Sequence, residues 1–392
     1  MVIFRGLKRW PGIFSKNLLA AGLTLILLFM YAFTAGASEP DVTAPAALLL
    51  EPETGSVLYE KNAGKEHPPA SLTKMMTVLL GIEAIEAGEI KLQDRVTASS
   101  HASSMGGSQI YIEEGNILSV EELFKAIMVA SANDASVVLA EAAAGDCSVF
   151  IEKMNERAEE LGMDNTHFKT VNGLPHEDQY TTAEDMARLA SELVKYPQVM
   201  EWSQIWTKTL ELADREAMIV NTNRMINSYS GLDGLKTGYT RNAGFNLVAT
   251  ASRDDMRLIS VVMGAENERD RSESTAALLD YGFENYRLEK VLAAEDVLKD
   301  LALKNSASET VKGTPGSNLY ALVEKGVKTE IDYELELYEN AEFPVEAGES
   351  IGTIYSLVEE ERVYEAELEA ENRIEKAGVL MRILRWFRNL IL

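Results

Sequence analysis

Phe245-Asn246-Leu247-Val248-Ala249-Thr250, the polar Arg253-Asp254-Asp255, then Leu258-Ile259-Ser260-Val261-Val262-Met263: two apolar runs joined by turn residues. Runs of this length and composition read as two hairpin-linked strands. Far upstream, Ala46–Leu50 and Ser56–Tyr59 flank Glu51-Pro52-Glu53-Thr54-Gly55 and read as a second hairpin. Between the hairpins the pattern is helical. Pro68-Pro69 breaks the chain, and from Ser71 to about Glu86 Leu72, Met75, Met76, Val78, Leu79, Leu80 and Ile82 cover nearly every helical face. A helix apolar all round is a buried one. Ser119-Val120-Glu121-Glu122 is a capping box opening another helix, and a further helical stretch starts near Asn133 with Val137, Val138 and Leu139. Helices between hairpin-linked strands predict an α+β domain built on an antiparallel sheet.

Past about residue 285 the pattern changes. Ile331, Tyr333, Leu335 and Leu337 alternate with acidic residues, as do Tyr364, Ala366, Leu368 and Ala370. Period-two patterning means half-buried strands. With Gly313, Pro315 and Gly316 marking a turn-rich loop, this predicts a small all-β domain over 286–372 after an α+β domain over 38–285. Residues 373–392 end in Val379, Leu380, Ile383, Leu384, Phe387, Leu390 and Ile391 at helical spacing, with Arg382, Arg385, Arg388 and Trp386 among them. That suits either an amphipathic helix anchoring at a membrane surface or a terminal helix docked on its own domain, and the export signal favours the membrane. At the other end, Arg5, Lys8, Arg9 and Lys16 precede an uncharged, mostly apolar stretch from Leu18 to Phe33 and the small residues Ala35-Gly36-Ala37. Residues 1–37 read as a cleaved secretory signal peptide; a retained anchor is the other reading of a run slightly short for a span.

The formal net charge of −25 argues against nucleic acid, which needs basic surface. One cysteine, Cys147, permits no internal disulfide, so the exported domains rest on their cores. Cys147 reads as a small helix-end or core residue. The four histidines, His67, His101, His167 and His176, fall in no metal-ligand spacing. No Gly-rich nucleotide loop occurs, so neither metal nor cofactor is expected.

Three short motifs carry the chemistry. In Ser71-Leu72-Thr73-Lys74, helical spacing sets the amine beside the hydroxyl. A serine is a weak nucleophile until a base takes its proton. A lysine can be that base only when burial or a nearby cation makes it neutral. Ser131-Ala132-Asn133 offers a hydroxyl and an amide on one loop, able to relay a proton and hold a peptide group. Lys236-Thr237-Gly238 offers a cation and a hydroxyl on a strand edge for a carboxylate, with a glycine to let a substrate backbone approach. Each alone is short enough to be an ordinary helix turn, cap or strand edge. Their order is not ordinary: it is the Ser-x-x-Lys, Ser-x-Asn, Lys-Thr-Gly series of penicillin-binding proteins and class A β-lactamases.

With these motifs the chain resembles the low-molecular-mass penicillin-binding proteins, the serine D-Ala-D-Ala carboxypeptidases of peptidase family S11. The likeness runs from about Ala46 to Arg287, through Pro68–Met76, Met105–Gln109, Val129–Ala135, Asn165–Phe168, Asn172–Pro175, Asp233–Thr240 and Leu279–Phe283. Ala132 stands where relatives often have glycine. The resemblance implies a penicillin-binding, serine β-lactamase-like transpeptidase fold followed by the β-rich domain. It implies removal of the terminal D-Ala from peptidoglycan stem pentapeptides through an acyl-enzyme on Ser71, with β-lactams as covalent inhibitors. It makes Lys74 the base, Ser131 a proton relay and Asn133 the holder of the substrate amide. Lys236 and Thr237 would position the terminal carboxylate, and the N–H groups of Ser71 and Tyr239, beside Gly238, would form the oxyanion hole. Arg271 matches a family arginine at the carboxylate subsite, with Arg269 a close competitor for that assignment. The implied location is the outer face of the bacterial cytoplasmic membrane, held by the C-terminal helix.

Two other readings compete. A class A β-lactamase needs a glutamate to activate the deacylating water, and no Glu-x-x-Leu-Asn pattern lies between Ser131 and Lys236. A catalytically silent wall-binding protein would not need all three motifs intact.

Overall fold

A computed structural model describes residues 39–212, 215–379 and 381. The expected signal peptide and nearly all of the basic tail helix lie outside these residues. The first hairpin is β1 (Ala46–Glu51) with β2 (Ser56–Lys61), followed by helix α1 (Lys74–Glu86). Strand β3 (Arg95–Thr97), the short helix α2 (Ser100–Ser103) and β4 (Ile117–Ser119) lead into α3 (Val120–Ala130), α4 (Asn133–Ala144) and α5 (Cys147–Glu160). Helices α6 (Ala183–Leu193) and α7 (Pro197–Ser203) precede the ribbon of β5 (Thr207–Leu212) and β6 (Arg215–Val220). Strands β7 (Leu232–Thr240), β8 (Gly244–Arg253) and β9 (Met256–Ala265) and helix α8 (Glu268–Asn285) complete the domain.

The central sheet has the order β2-β1-β9-β8-β7, every neighbouring pair antiparallel. Side chains alternate across it. Leu48, Val248, Ile259, Val261 and Met263 face a helical core that includes Met75, Met76, Phe124 and Leu139. Leu49, Leu247, Ala249, Leu258 and Val262 pack instead against Leu278, Leu279 and Phe283 of α8. Helices cover both faces, which is why β8 and β9 read as unbroken apolar runs rather than alternating ones. Helix α1 sits in the middle, with Met75, Met76, Val78 and Leu79 at zero exposure. The capping box at its expected place opens α3: the Ser119 hydroxyl accepts from Glu122 N–H, and Glu122 reaches back to Ser119 N–H.

The start of α1 differs from expectation. The α-helix begins at Lys74, and Ser71 lies on a preceding 3-10 turn, Ala70–Thr73. Ala70 adopts φ 48°, so a regular helix cannot run back through it.

The second domain begins where α8 ends. Strand β10 (Tyr286–Leu292) pairs with β13 (Leu319–Glu324); β11 (Leu298–Leu301), β12 (Val311–Pro315), β14 (Ile331–Leu337), β15 (Ser350–Val358) and β16 (Glu361–Ala370) form a sheet of order β11-β12-β16-β15-β14. Ala366, Leu368 and Ala370 are buried, following the alternation. Tyr333 is 39% exposed, because β14 is an edge strand with only β15 beside it. Residues 373–377, expected in the tail, belong to this domain. Ile374 pairs with Val345, Lys376 with Ser306, and Ala377 N–H donates to Asn305 O. Helical backbone appears only from Val379. Ile374 and Ala377 are small or apolar residues whose burial in the β core outweighs the helical pattern beyond them.

Candidate active site

Ser71, Ser131, Thr237, Gly238, Tyr239 and Arg271 line one cleft of about 770 Å³, and Lys74, Lys236 and Asn133 lie beneath its walls. The Ser71 turn is held from two sides by glycines. Gly173 has φ +80°, and a Cβ there would meet Ala70 O at 1.8 Å. A Cβ on Gly238 would come within 3.3 Å of Ser71 N and 3.0 Å of Pro69 O. Gly238 thus makes room for the turn that carries Ser71. The sequence alone reads this glycine as room for a substrate backbone; the fold adds the Ser71 turn.

Lys74 has zero exposure. Its Nζ lies 2.9 Å from Ser71 Oγ and donates to the Asn172 carbonyl at 2.5 Å. Burial first, then the Lys236 ammonium, drives this amine well below the ordinary lysine range, with Asp134 opposing. Lys236 is equally enclosed, with its Nζ 3.1 Å from Thr237 O, and burial and then Arg271 lower it to about 7. The Thr237 hydroxyl donates to Thr222 Oγ1 at 2.7 Å. In a chain of net charge −25, this cleft gathers four basic side chains, Lys74, Lys236, Arg224 and Arg271, and is matched to a small anion.

Ser131 caps α3 in a left-handed conformation, φ 60°; its hydroxyl is buried and has no hydrogen-bond partner. Such an orphan costs free energy unless something arrives to satisfy it. Asn133 donates from Nδ2 to Gly106 O at 2.6 Å and from its backbone N–H to Ser108 O at 2.7 Å. Arg271 is 4% exposed, with Nε unpaired and Nη2 3.4 Å from Glu268. Arg269 points into solvent, 82% exposed, and pairs with Glu273. The two arginines that the sequence left in competition are separated by helix phase: only Arg271 faces the cleft.

Several participants escaped the sequence reading as individuals. Asn172 contributes a carbonyl, and no side-chain pattern signals that. Asp134 is buried and accepts from Ile110 N–H at 3.1 Å and Ile112 N–H at 3.0 Å, clamping the segment that meets Asn133. Its place directly after Ser131-Ala132-Asn133 was the available clue. Thr222 and Glu268 lie on other segments and reach the cleft only through the fold. Glu268 is the one carboxylate lining it among the described residues, and it lies against Arg271. Cys147 is half-buried away from the cleft, its thiol pushed up to about 12 by burial and then by Glu141 and Asp146. It is no nucleophile.

Residues 33–267 match the family described as Peptidase S11, D-alanyl-D-alanine carboxypeptidase, and residues 286–376 match the penicillin-binding protein 5 C-terminal domain. The D-alanyl-D-alanine carboxypeptidase DacF of Bacillus subtilis (strain 168) is 37% identical over 374 residues, 93% of this chain and 96% of that one. Among solved structures, penicillin binding protein 5 from Haemophilus influenzae superposes with a TM-score of 0.76 at 30% identity, covering 87% of this chain and all (100%) of that one. Penicillin-Binding Protein D2 from Listeria monocytogenes, in its ampicillin-bound form, has a TM-score of 0.57 at 33% identity and covers 62% of this chain and 98% of that one.

Proposed function

This chain belongs to the peptidase S11 family of D-alanyl-D-alanine carboxypeptidases, and on that premise we propose how the cleft divides the work. The enzyme is a serine-type carboxypeptidase that takes peptidoglycan stem peptides ending in D-Ala-D-Ala. One observation carries the assignment of its nucleophile and base: a fully buried Lys74 amine, driven toward neutrality, 2.9 Å from Ser71 Oγ. Ser71 attacks the carbonyl between the two D-alanines, and Lys74 takes the hydroxyl proton. The oxyanion forms against the N–H groups of Ser71 and Tyr239. The hydroxyl of Ser131 relays that proton from Lys74 to the departing nitrogen, taking one as it gives one, and Asn133 holds the stem-peptide amide. Lys236, Thr237 and Arg271 receive the terminal carboxylate, so the substrate must end where that pocket does.

Once free D-Ala leaves, water reaches the ester and Lys74 can activate it. A β-lactam acylates Ser71 by the same attack, but its leaving nitrogen stays tethered to the acyl group and keeps water out. Lys74 Nζ is held by a backbone carbonyl, Asn172 O, and the one carboxylate lining the cleft among the described residues, Glu268, lies against Arg271, whereas a class A β-lactamase uses a glutamate to activate its deacylating water. Benzylpenicillin is therefore held as a long-lived adduct.

The experiment that tests this reading is D-Ala release from a pentapeptide as a function of pH. Lys236 lies below its ordinary 10.5, at about 7, so above about pH 7 the free enzyme loses the proton that attracts the substrate carboxylate. kcat/KM is expected to fall as pH rises through that value. Lys236→Arg, charged throughout, should move the fall to higher pH. A wild-type kcat/KM that stays level to about pH 9 would remove Lys236 from carboxylate binding.

Export and membrane attachment complete the proposal. Residues 1–37 carry a signal-peptide pattern and residues 379–392 a basic apolar stripe with Arg382, Arg385, Arg388 and Trp386. Each basic residue near an anionic surface contributes about 1 kcal/mol, against an otherwise acidic chain. A chain ending at Ala377 keeps the last pairing of the β domain, Ala377 N–H to Asn305 O. It should stay active on soluble peptide and lose binding to anionic liposomes. The full exported chain, its N-terminus established by sequencing, should bind them and bind less as salt rises. Unchanged binding after truncation would reduce the tail to a docked terminal helix.

A further inference from the structure

At the far end of α4 from Asn133, three metal-ligating side chains converge from three helices. His101 comes from α2, Glu141 from the last turn of α4 and Cys147 from the first position of α5. One ligand atom from each lies within 4.8 Å of the other two. His101 Nδ1 is 3.4 Å from Glu141 Oε1, and that oxygen accepts from the Ser99 hydroxyl at 2.9 Å. The carboxylate is thus held in orientation by a hydroxyl outside the ligand set, as ligating carboxylates are. The link between α4 and α5 fixes the thiol in place: Gly145 turns the chain at φ +79°, and Asp146 Oδ1 caps α5 by accepting from Ser148 N–H at 2.7 Å. Glu141 and Cys147 are half-buried and His101 is exposed, which leaves a path for an ion to enter.

We propose that His101, Glu141 and Cys147 form a binding site for a zinc-class divalent cation, separate from the catalytic cleft. Imidazole nitrogen, thiolate sulfur and one carboxylate oxygen suit Zn²⁺ or Co²⁺ in a tetrahedron, with water in the fourth position. Hard Ca²⁺ and Mg²⁺ prefer six or more oxygens or octahedral water and do not match a set containing sulfur. On binding, the Cys147 thiol gives its proton to solvent and the sulfur bonds to the metal. The ion ties α2 to the α4–α5 junction. Five residues after His101 comes Gly106, whose carbonyl accepts the Asn133 amide, and Ser108 O accepts Asn133 N–H. The site is therefore a staple on the segment walling the cleft: it steadies the fold and takes no part in the reaction at Ser71.

The acidic surface binds divalent ions loosely wherever it can, so the test must read the sulfur. The metal-stripped full exported chain is titrated with Co²⁺, then with Zn²⁺. One equivalent of Co²⁺ should produce a thiolate-to-cobalt charge-transfer band in the near ultraviolet. Zn²⁺ should bleach it and raise the thermal unfolding midpoint. Cys147→Ser should lose the band and bind Zn²⁺ at least about tenfold more weakly. His101→Ala and the isosteric Glu141→Gln should weaken Zn²⁺ binding to a similar degree; should one fail to fold, the other serves. D-Ala release and penicillin labelling should persist in all three. A Co²⁺ complex without the band, or Cys147→Ser binding Zn²⁺ as tightly as wild type, would overturn the proposal and leave a His101–Glu141 pair on an acidic surface.

Discussion

Ser71→Ala is expected to release no D-Ala from a stem pentapeptide and to take no covalent adduct from benzylpenicillin by intact-mass measurement. The reaction needs a bond from Oγ to the acyl carbon, and among the described residues no other hydroxyl lining the cleft is hydrogen-bonded to a buried amine. Ser131 Oγ has no hydrogen-bond partner at all. The folded state should hardly notice the change. Lys74 keeps its bond to Asn172 O, and the hydrogen bond lost with Oγ is worth about 1 kcal/mol. Alanine adds no bulk where Gly238 and Gly173 press on the turn. Thermal unfolding close to wild type beside complete loss of acylation would isolate the chemistry from the scaffold. An adduct surviving in this variant would place the nucleophile elsewhere.

Lys74→Arg should slow both D-Ala release and penicillin acylation by at least about 10²-fold, within the range for losing a general base. The substitution puts a permanent cation where the reaction needs a neutral nitrogen, because a guanidinium does not give up its proton in a protein. It also forces a longer side chain into a site of zero exposure, next to Lys236, so a lower unfolding temperature should accompany the loss. The two effects are separated by measuring the acylation rate well below the unfolding transition. Near-wild-type acylation there would mean that another group deprotonates Ser71. Any slow residual acylation should rise with pH, as hydroxide replaces the missing base.

Much of this protein is written in short-range pattern. The 245–263 hairpin, the capping box at Ser119 and the apolar helix after Pro69 were legible because turn chemistry, caps and periodicity depend on neighbours in the chain. The three motifs were legible for the same reason, each fitting within four residues. What the chain could not disclose depends on residues brought together from afar. Lys74 meets Asn172 across 98 positions. Gly238 turned out to serve the Ser71 turn because β7 passes against it, a register set by the whole sheet. Arg271 rather than Arg269 faces the cleft because α8 packs on β8 and β9 in one rotational phase. Residues 373–377 left the tail for the β domain because Val345 and Ser306 offered backbone partners. His101 and Cys147, 46 positions apart in sequence, converge only once α2 docks at the α4–α5 junction. The shifted amines belong here too: a lysine's readiness to act as a base is a matter of desolvation, and water is excluded from Lys74 and Lys236 only after the sheet, α1 and the surrounding segments have closed around them.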